Sequence, residues 1–289
     1  MQGAASVTIV VMKMLNGREL ADFIQERQAR QVRALRQAHE IFPKLAIVVT
    51  IEHPAIDVYM RMKTRYGADI LIDVDIHRIQ QSEALTTIAA LNNDPAVHGI
   101  IVQLPLEDPS QTDEIVNAVL PIKDVDGLGQ DIIYDPATPM AILWLLAGYN
   151  IDLKGKKVVL VGRGKLVGQP LERMLNSSGI DLEVVDRKTP DIQASCLAAD
   201  VIITATGRPG LITPDMIKHG AVVVDAGVAG EQGKTVGDLA AEVYERDDLT
   251  ITPTKGGVGP LTICALFDNV IRAARETMQK SISIDKSAE

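Results

Sequence analysis

Tyr59 and Lys63 stand four residues apart in the run IDVYMRMKTRY, a spacing that on a helix puts a phenol and an amine on one face about a turn apart. An amine whose pKa is lowered by lost water or a neighbouring cation can carry a proton near neutral pH, and a nearby phenol can orient it. Exposed helices often hold such a pair with no chemical duty, so the pair gains meaning only from its company. Gln103 is one companion: it is the polar residue ending the apolar run GIIVQ, followed by Leu104-Pro105. Lys123-Asp124-Val125-Asp126-Gly127 is another, with two carboxylates two residues apart. A carboxylate there could ligate a metal, although no further ligands cluster with it, or take paired hydrogen bonds from an amino-pyrimidine ring.

A second kind of chemistry is written in VVLVGRGKLVGQP, where the apolar run Val158–Val161 meets Gly162, Arg163 and Gly164 before a helical pattern opens at Leu171. Strand, glycine turn and helix in that order leave backbone N–H groups at a helix N-terminus, where the helix dipole favours phosphate. Gly162 permits the tight turn and Gly164 removes a Cβ from the path of a pyrophosphate. The third glycine, Gly168, arrives one residue later than the GxGxxG spacing. A further apolar run, Leu182–Val185, ends in Asp186, 24 residues after Gly162, near where a dinucleotide fold reads its ribose. Asp186 could bond a free 2′-hydroxyl, as NAD requires, while Arg163 and Arg187 could clamp the 2′-phosphate of NADP.

Elements able to hold these residues alternate along the chain. An opening strand is expected at Val7–Met12, a helix from Gly17 to about Ile41 and a buried strand at Leu45–Ile51. Then come a helix from about Ile56 to Tyr66, a strand at Asp69–Val74, a helix at Ser82–Asn92 and a strand at Gly99–Gln103. The alternation predicts an α/β layered fold with ligands at the carboxyl ends of parallel strands. Beyond the charged, glycine-rich stretch Leu120–Gln130, PATP (Pro136–Pro139) leads into an apolar helix, and the crossing to a second domain is expected near there. Strands at Val201–Ile203 and Ala221–Val224 continue that domain, TPTKGGVGPLT (Thr252–Thr262) reads as a ligand loop, and Ile263–Thr277 reads as a helix returning to the first domain.

A chain of 289 residues favours two domains. Its net charge of −9 and its 3% aromatic content argue against general nucleic-acid binding, which needs a basic surface and stacking platforms. Cys196 and Cys264 lie far apart in apolar segments and the five histidines show no metal-ligand spacing, so neither a disulfide framework nor a metal site is expected. No basic region precedes the short apolar N-terminal run, and no apolar run approaches the ~18 residues of a membrane span. A cytoplasmic protein without membrane contact is expected.

Taken together, Tyr59-x-x-x-Lys63, GIIVQLPL (Gly99–Leu106), KDVDG, PATP, VGRGKLVGQP (Val161–Pro170) and the TPTKGGVGPLT loop resemble, in order and over nearly the whole chain, the bifunctional methylenetetrahydrofolate dehydrogenase/methenyltetrahydrofolate cyclohydrolase (FolD) family. The resemblance implies two α/β domains with a folate cleft between them. Residues 1–134 plus 264–289 would form the folate-binding catalytic domain, and 135–263 a Rossmann-like NAD(P)-binding domain. It implies that Lys63 is the catalytic proton carrier, Tyr59 its orienting and pterin-stacking partner, Gln103 the group tuning the lysine, and Asp126 the pterin anchor. Leu104, Pro105, Gly256, Gly257 and Pro260 would border the substrate. Gly162, Arg163, Gly164, Val167, Gly168, Asp186, Arg187, Thr206 and Gly207 would hold the cofactor, NADP by family habit with NAD as the alternative. Tetrahydrofolate derivatives are the implied ligands and a homodimer the implied assembly.

Five positions depart from the family pattern. Ile56 replaces a frequent Ser three residues before the tyrosine, Gly164 the Ser of GRS, Asp186-Arg187 a His-Ser pair, and Lys255 a Pro. Competing readings are a dehydrogenase acting on a small acid or alcohol and a folate or nucleotide binder without turnover.

Overall fold

A computed structural model describes residues 12–231 and 234–285 of the chain. The chain divides into two units. The first holds Ala21–Met140 and the chain from Thr262 onward, and the second holds the chain up to Leu20 with Ala141–Leu261. Most of the strand expected at Val7–Met12 lies outside the described residues, where the first strand is β1 (Lys13–Met14). It is followed by α1 (Gly17–His39).

In the first unit β2 (Lys44–Val49), α2 (Pro54–Asp69), β3 (Asp73–Arg78), α3 (Ala84–Asn93), β4 (Gly99–Val102) and α4 (Thr112–Asn117) follow. The three strands form a parallel sheet in the order β3-β2-β4, with Lys44 opposite Asp73 and Ala46 opposite Ile100. Central β2 is apolar throughout Leu45–Val49 and has partners on both edges, as a strand covered on both faces must. Ala46, Val48, Ile88, Ile100 and Val102 share one core cluster.

β3 corrects the strand expected at Asp69–Val74. Helix α2 continues to Asp69, Leu71 takes a positive φ of 65°, and Ile72 N–H donates to Gly67 O at 2.8 Å. Ile70 and Ile72 are buried, so the apolar run that imitates a strand caps the helix and fills the core. The true strand, DVDIHR, is an exposed edge, and its polarity hides it from a search for apolar runs.

The second unit opens with α5 (Ala137–Gly148), β5 (Val158–Val161), α6 (Gly168–Ser177), β6 (Leu182–Val185), α7 (Ile192–Ala198), β7 (Val201–Thr204) and β8 (Val222–Asp225). A hairpin, β9 (Ala229–Glu231) and β10 (Lys234–Val236), and then β11 (Thr250–Ile251) complete it, and α8 (Val258–Asp285) starts here but from Thr262 onward belongs to the first unit. Its sheet is parallel, with the order β1-β11-β8-β7-β5-β6. The chain reverses direction across the sheet at β5, and such a switch point leaves a crevice at the carboxyl ends of the strands. Val159, Val161, Ile202, Val223 and Ile251 belong to one buried cluster.

The unit boundaries differ from the expected 134/135 and 263/264 divisions. They fall inside helices, between Leu20 and Ala21 in α1, Met140 and Ala141 in α5, and Leu261 and Thr262 in α8. The opening segment joins the second unit because β1 pairs with β11, Lys13 N–H donating to Leu249 O at 2.9 Å and Leu15 N–H to Ile251 O at 2.8 Å. The stretch Leu120–Gln130 is folded turn and not linker. Ile100 N–H donates to Lys123 O at 2.7 Å, extending the first unit's sheet past β4. Among the described residues no helix is long and apolar enough to cross a membrane.

Asn269, 3% exposed on α8, anchors two turns of the first unit, its Nδ2 donating to Val125 O and Asp135 O at 2.9 Å each. Asn269→Ala strands both carbonyls, and a buried group left without a partner costs about 1–3 kcal/mol. Chemical denaturation is expected to show a loss of about 2 kcal/mol or more; a loss below about 0.5 kcal/mol would contradict this anchoring role.

Candidate active site

Helix α2 carries Ile56, Tyr59 and Lys63 at i, i+3 and i+7, so all three lie toward one face. Ile56 is buried at 4% exposure, Tyr59 is exposed and Lys63 half-buried. Lys63 Nζ donates to Gln103 Oε1 at 3.0 Å. Gln103 follows β4 directly, and its Nε2 donates to Leu104 O at 2.8 Å, which fixes the amide with its oxygen toward the lysine. The Leu104–Pro105 peptide bond is cis. Lost water around the Lys63 ammonium lowers its pKa from the ordinary 10.5, and the Asp126 carboxylate opposes that shift. The structure thus brings Lys63 and Gln103 into contact and places Asp126 within electrostatic reach of the lysine.

Spacing and side-chain type alone do not separate the two acids of KDVDG, of which the family resemblance singles out Asp126; their hydrogen bonds differ. Asp124 accepts from Gly127 N–H at 3.0 Å and from Gly129 N–H at 2.8 Å, knitting its own turn. Lys123 is buried, its Nζ donating to Leu91 O at 2.9 Å and Asp94 O at 2.7 Å. No described residue donates a hydrogen bond to the Asp126 side chain, and burial pushes its pKa above the ordinary 3.8 while Lys63 draws it down. Asp126 therefore retains acceptor capacity for a ligand's N–H groups. Among the described residues no group of three or more His, Cys, Asp or Glu could hold a metal ion.

In the second unit the glycine turn leaves the carboxyl end of β5 as its spacing predicts. Gly162 has φ 105°, and a Cβ there would press on Ala205 O; at Gly168 a Cβ would overlap the Gly162 carbonyl. A Cβ on Gly164 would meet nothing within 4 Å. The N–H groups of Gly164, Val167 and Gly168 donate to no described acceptor. Open space beside Gly164 and free donors at the start of α6 fit a pyrophosphate. Gly162 N–H donates to Val185 O at 2.8 Å, so Asp186, next after β6, stands beside the turn. One Asp186 oxygen, Oδ1, accepts from Lys188 N–H at 2.8 Å; Arg187 is exposed.

Two acids that sequence reading passed over shape the rest of this site. Asp238, fully buried, accepts through Oδ2 from Thr206 N–H at 2.7 Å and Thr204 Oγ1 at 2.5 Å, and through Oδ1 from Arg208 N–H at 2.8 Å. It holds the turn containing Thr206 and Gly207. Asp225, the last residue of β8, accepts from Gly227 N–H at 2.9 Å and from the N–H groups of Asp238 and Leu239. An acid closing an apolar strand, as in VVVD, was the available signal. Thr50 is a third omission: it follows β2, and its buried Oγ1 has no described partner. The expected loop Gly256–Pro260 is a loop only in part, because α8 begins at Val258 and takes Pro260 into its first turn, where a missing N–H costs nothing. Gly256, at φ 85°, receives a hydrogen bond on its oxygen from Arg18 N–H at 3.0 Å. Gly257 is buried and Lys255 exposed.

Two family models cover most of the chain: the tetrahydrofolate dehydrogenase/cyclohydrolase catalytic domain over residues 15–126 and its NAD(P)-binding domain over 136–278. The chain belongs to the tetrahydrofolate dehydrogenase/cyclohydrolase family. It is accordingly a bifunctional folate dehydrogenase and cyclohydrolase with an NAD(P)-binding domain. It is 41% identical to the bifunctional protein FolD of Moorella thermoacetica across 91% of this chain and 99% of that one. The crystal structure of the bifunctional FolD of Campylobacter jejuni superimposes with a TM-score of 0.86 at 35% identity, covering 92% of this chain and 99% of that one. The Trypanosoma brucei family enzyme, solved with NADP cofactor and an inhibitor, gives a TM-score of 0.86 at 28% identity over 92% of this chain and 98% of that one.

Two outcomes follow from these geometries. Asp124→Ala is expected to cost about 2 kcal/mol of stability, since two backbone donors lose their acceptor, whereas Asp126→Ala strands no backbone donor and is expected to cost less; equal losses would show that both acids serve the fold. For Lys63 the folded pKa lies below the unfolded 10.5. Between the two values the unfolded chain binds more protons, so wild-type stability relative to Lys63→Met should rise with pH and level off above about 10.5. A flat difference between pH 7 and 11 would show that the ammonium is not desolvated.

Proposed function

We propose that the enzyme oxidises 5,10-methylenetetrahydrofolate to 5,10-methenyltetrahydrofolate with NADP, NAD being the alternative, and hydrolyses the product to 10-formyltetrahydrofolate. The observation that carries this reading is the desolvated Lys63 amine, held by Gln103 within reach of an Asp126 carboxylate that no described residue's donor satisfies.

In the oxidation, the nicotinamide ring when bound accepts the hydride from the one-carbon bridge. The cation left behind is stabilised by the two nitrogens flanking its carbon, so the protein has to supply alignment and little acid or base. Asp126 anchors the pterin by accepting from its amino and ring N–H groups, and Tyr59 stacks on it. Hydrolysis then adds water to the methenyl carbon and moves a proton to the departing ring nitrogen as the carbon–nitrogen bond breaks. Lys63, its pKa lowered by burial, takes and returns that proton, with Gln103 Oε1 fixing the direction of the amine. Ile56 buries an apolar side chain where the family often has a hydroxyl, which leaves Gln103 to orient the lysine.

Leu104, Pro105, Gly256, Gly257 and Pro260 serve as further folate contacts in this reading. Gly162, Arg163, Gly164, Val167, Gly168, Asp186, Arg187, Thr206 and Gly207 serve the dinucleotide. The NADP-bound Trypanosoma brucei relative and the cations Arg163 and Arg187 support NADP; Asp186 supports NAD. Family resemblance supports a homodimer acting in the cytoplasm.

Lys63→Met is expected to lower methenyl hydrolysis at least about 100-fold, the usual weight of a general acid–base, while reduced-cofactor formation stays within about tenfold. Both are read in one reaction from methenyl and reduced-nicotinamide absorbance. Wild-type hydrolysis by that variant would remove Lys63 from the mechanism. Asp126→Asn is expected to raise the folate KM in both half-reactions.

A further inference from the structure

Of the two cations that sequence offers to a 2′-phosphate, Arg163 is already engaged, while Arg187 is exposed. Arg163 Nε donates to Glu172 Oε2 at 2.7 Å and Arg163 Nη2 to Glu172 Oε1 at 2.9 Å, a two-pronged ion pair. Glu172 sits on α6 with its side chain 18% exposed, against 56% for Arg163. The carboxylate is therefore held by the helix, and the arginine comes to it. The parallel pairing of Val161 with Val185 sets Asp186 beside the same turn, and its charge also reaches Arg163. One guanidinium thus faces two carboxylates at the end of β6, where the adenosine ribose of a dinucleotide lies in such folds. A phosphate arriving there has to displace Glu172 from Arg163 and approach Asp186, whereas a free 2′-hydroxyl needs only an acceptor. Asp186 has one to give, since only its Oδ1 is bonded to Lys188 N–H.

We propose that Glu172 sets the dinucleotide preference of this enzyme, competing with a 2′-phosphate for Arg163 and so holding NADP to little advantage over NAD. The inference rests on the reading of this unit as the nucleotide site of the dehydrogenase. Glu172 acts through Arg163 and touches no reacting atom, so it is a positioning residue. Removing its charge should release the guanidinium fork for bidentate phosphate pairing, a gain confined to ligands that carry the 2′-phosphate.

The test compares wild type, Glu172→Gln and the double variant Glu172→Gln/Arg163→Met. Calorimetric titration with adenosine 2′,5′-bisphosphate and with adenosine 5′-monophosphate reads the subsite without turnover; kcat/KM with NADP and NAD reads it in the reaction. Wild type is expected to favour NADP over NAD by less than about tenfold. Glu172→Gln should bind the bisphosphate about tenfold more tightly and raise kcat/KM for NADP alike, with the monophosphate and NAD values unchanged. The gain should vanish in the double variant. An unchanged ratio in Glu172→Gln, or a gain that survives loss of Arg163, overturns the proposal. Methenyl hydrolysis measured without nucleotide reports whether Glu172→Gln is folded. If no variant reduces either cofactor while the bisphosphate still binds differentially, the dehydrogenase reading fails and the role of Glu172 stands.

Discussion

Parallel pairing is the constraint from which the rest of this protein follows. A strand in a parallel sheet cannot turn straight back, so its chain leaves at the carboxyl end and crosses over, and all such ends gather on one side. In the first unit this gathers Thr50 after β2 and Gln103 after β4, with Gln103 N–H fixed to Val48 O at 2.9 Å. In the second it gathers Gly162, Asp186, Thr206 and Asp225 from β5, β6, β7 and β8. The apolar interiors of the strands fix the register, and the register decides which polar side chains become neighbours. Function in each unit is thus a by-product of how its strands are buried.

Within that frame, the division of labour among charged groups is settled by which of them already have partners. Lys123 and Asp124 spend their hydrogen-bonding capacity on backbone groups, while Asp126, next but one in sequence, spends none on the described protein. The same contrast runs through the second unit. Asp225 and Asp238 saturate backbone N–H groups and hold the turns after β7 and β8, leaving Asp186 with an oxygen to offer. Burial sharpens the contrast, because a desolvated charge without a partner is costly. Lys63 and Asp126 bear such a cost jointly, each shifting the other toward its charged form. Sites that carry this kind of strain are where function is found.

Much was legible in the chain itself. The apolar runs at β2, β4, β5, β7 and β8 declare themselves, since strands covered on both faces need no alternation. Gly162 and Gly168 declare the turn, because a Cβ at either would collide with backbone. Motif order declared the family. What stayed hidden shares a physical cause. β3 is polar because it is an exposed edge, and β1 and β11 are two residues each, recognisable only by their pairing in the sheet. The division into units stayed hidden because the chain crosses within helices, which have no linker composition.

By itself, then, the sequence determined the alternating α/β plan, the phosphate turn and the set of residues able to do chemistry, because apolar periodicity, glycine stereochemistry and side-chain type are local properties. Only the tertiary structure decided which of two neighbouring acids is free, that Arg163 belongs first to Glu172, and that the opening segment pairs with a strand more than two hundred residues away. Those outcomes depend on partners distant in the chain, and whether a charge is available is a property of its surroundings, not of the residue that bears it.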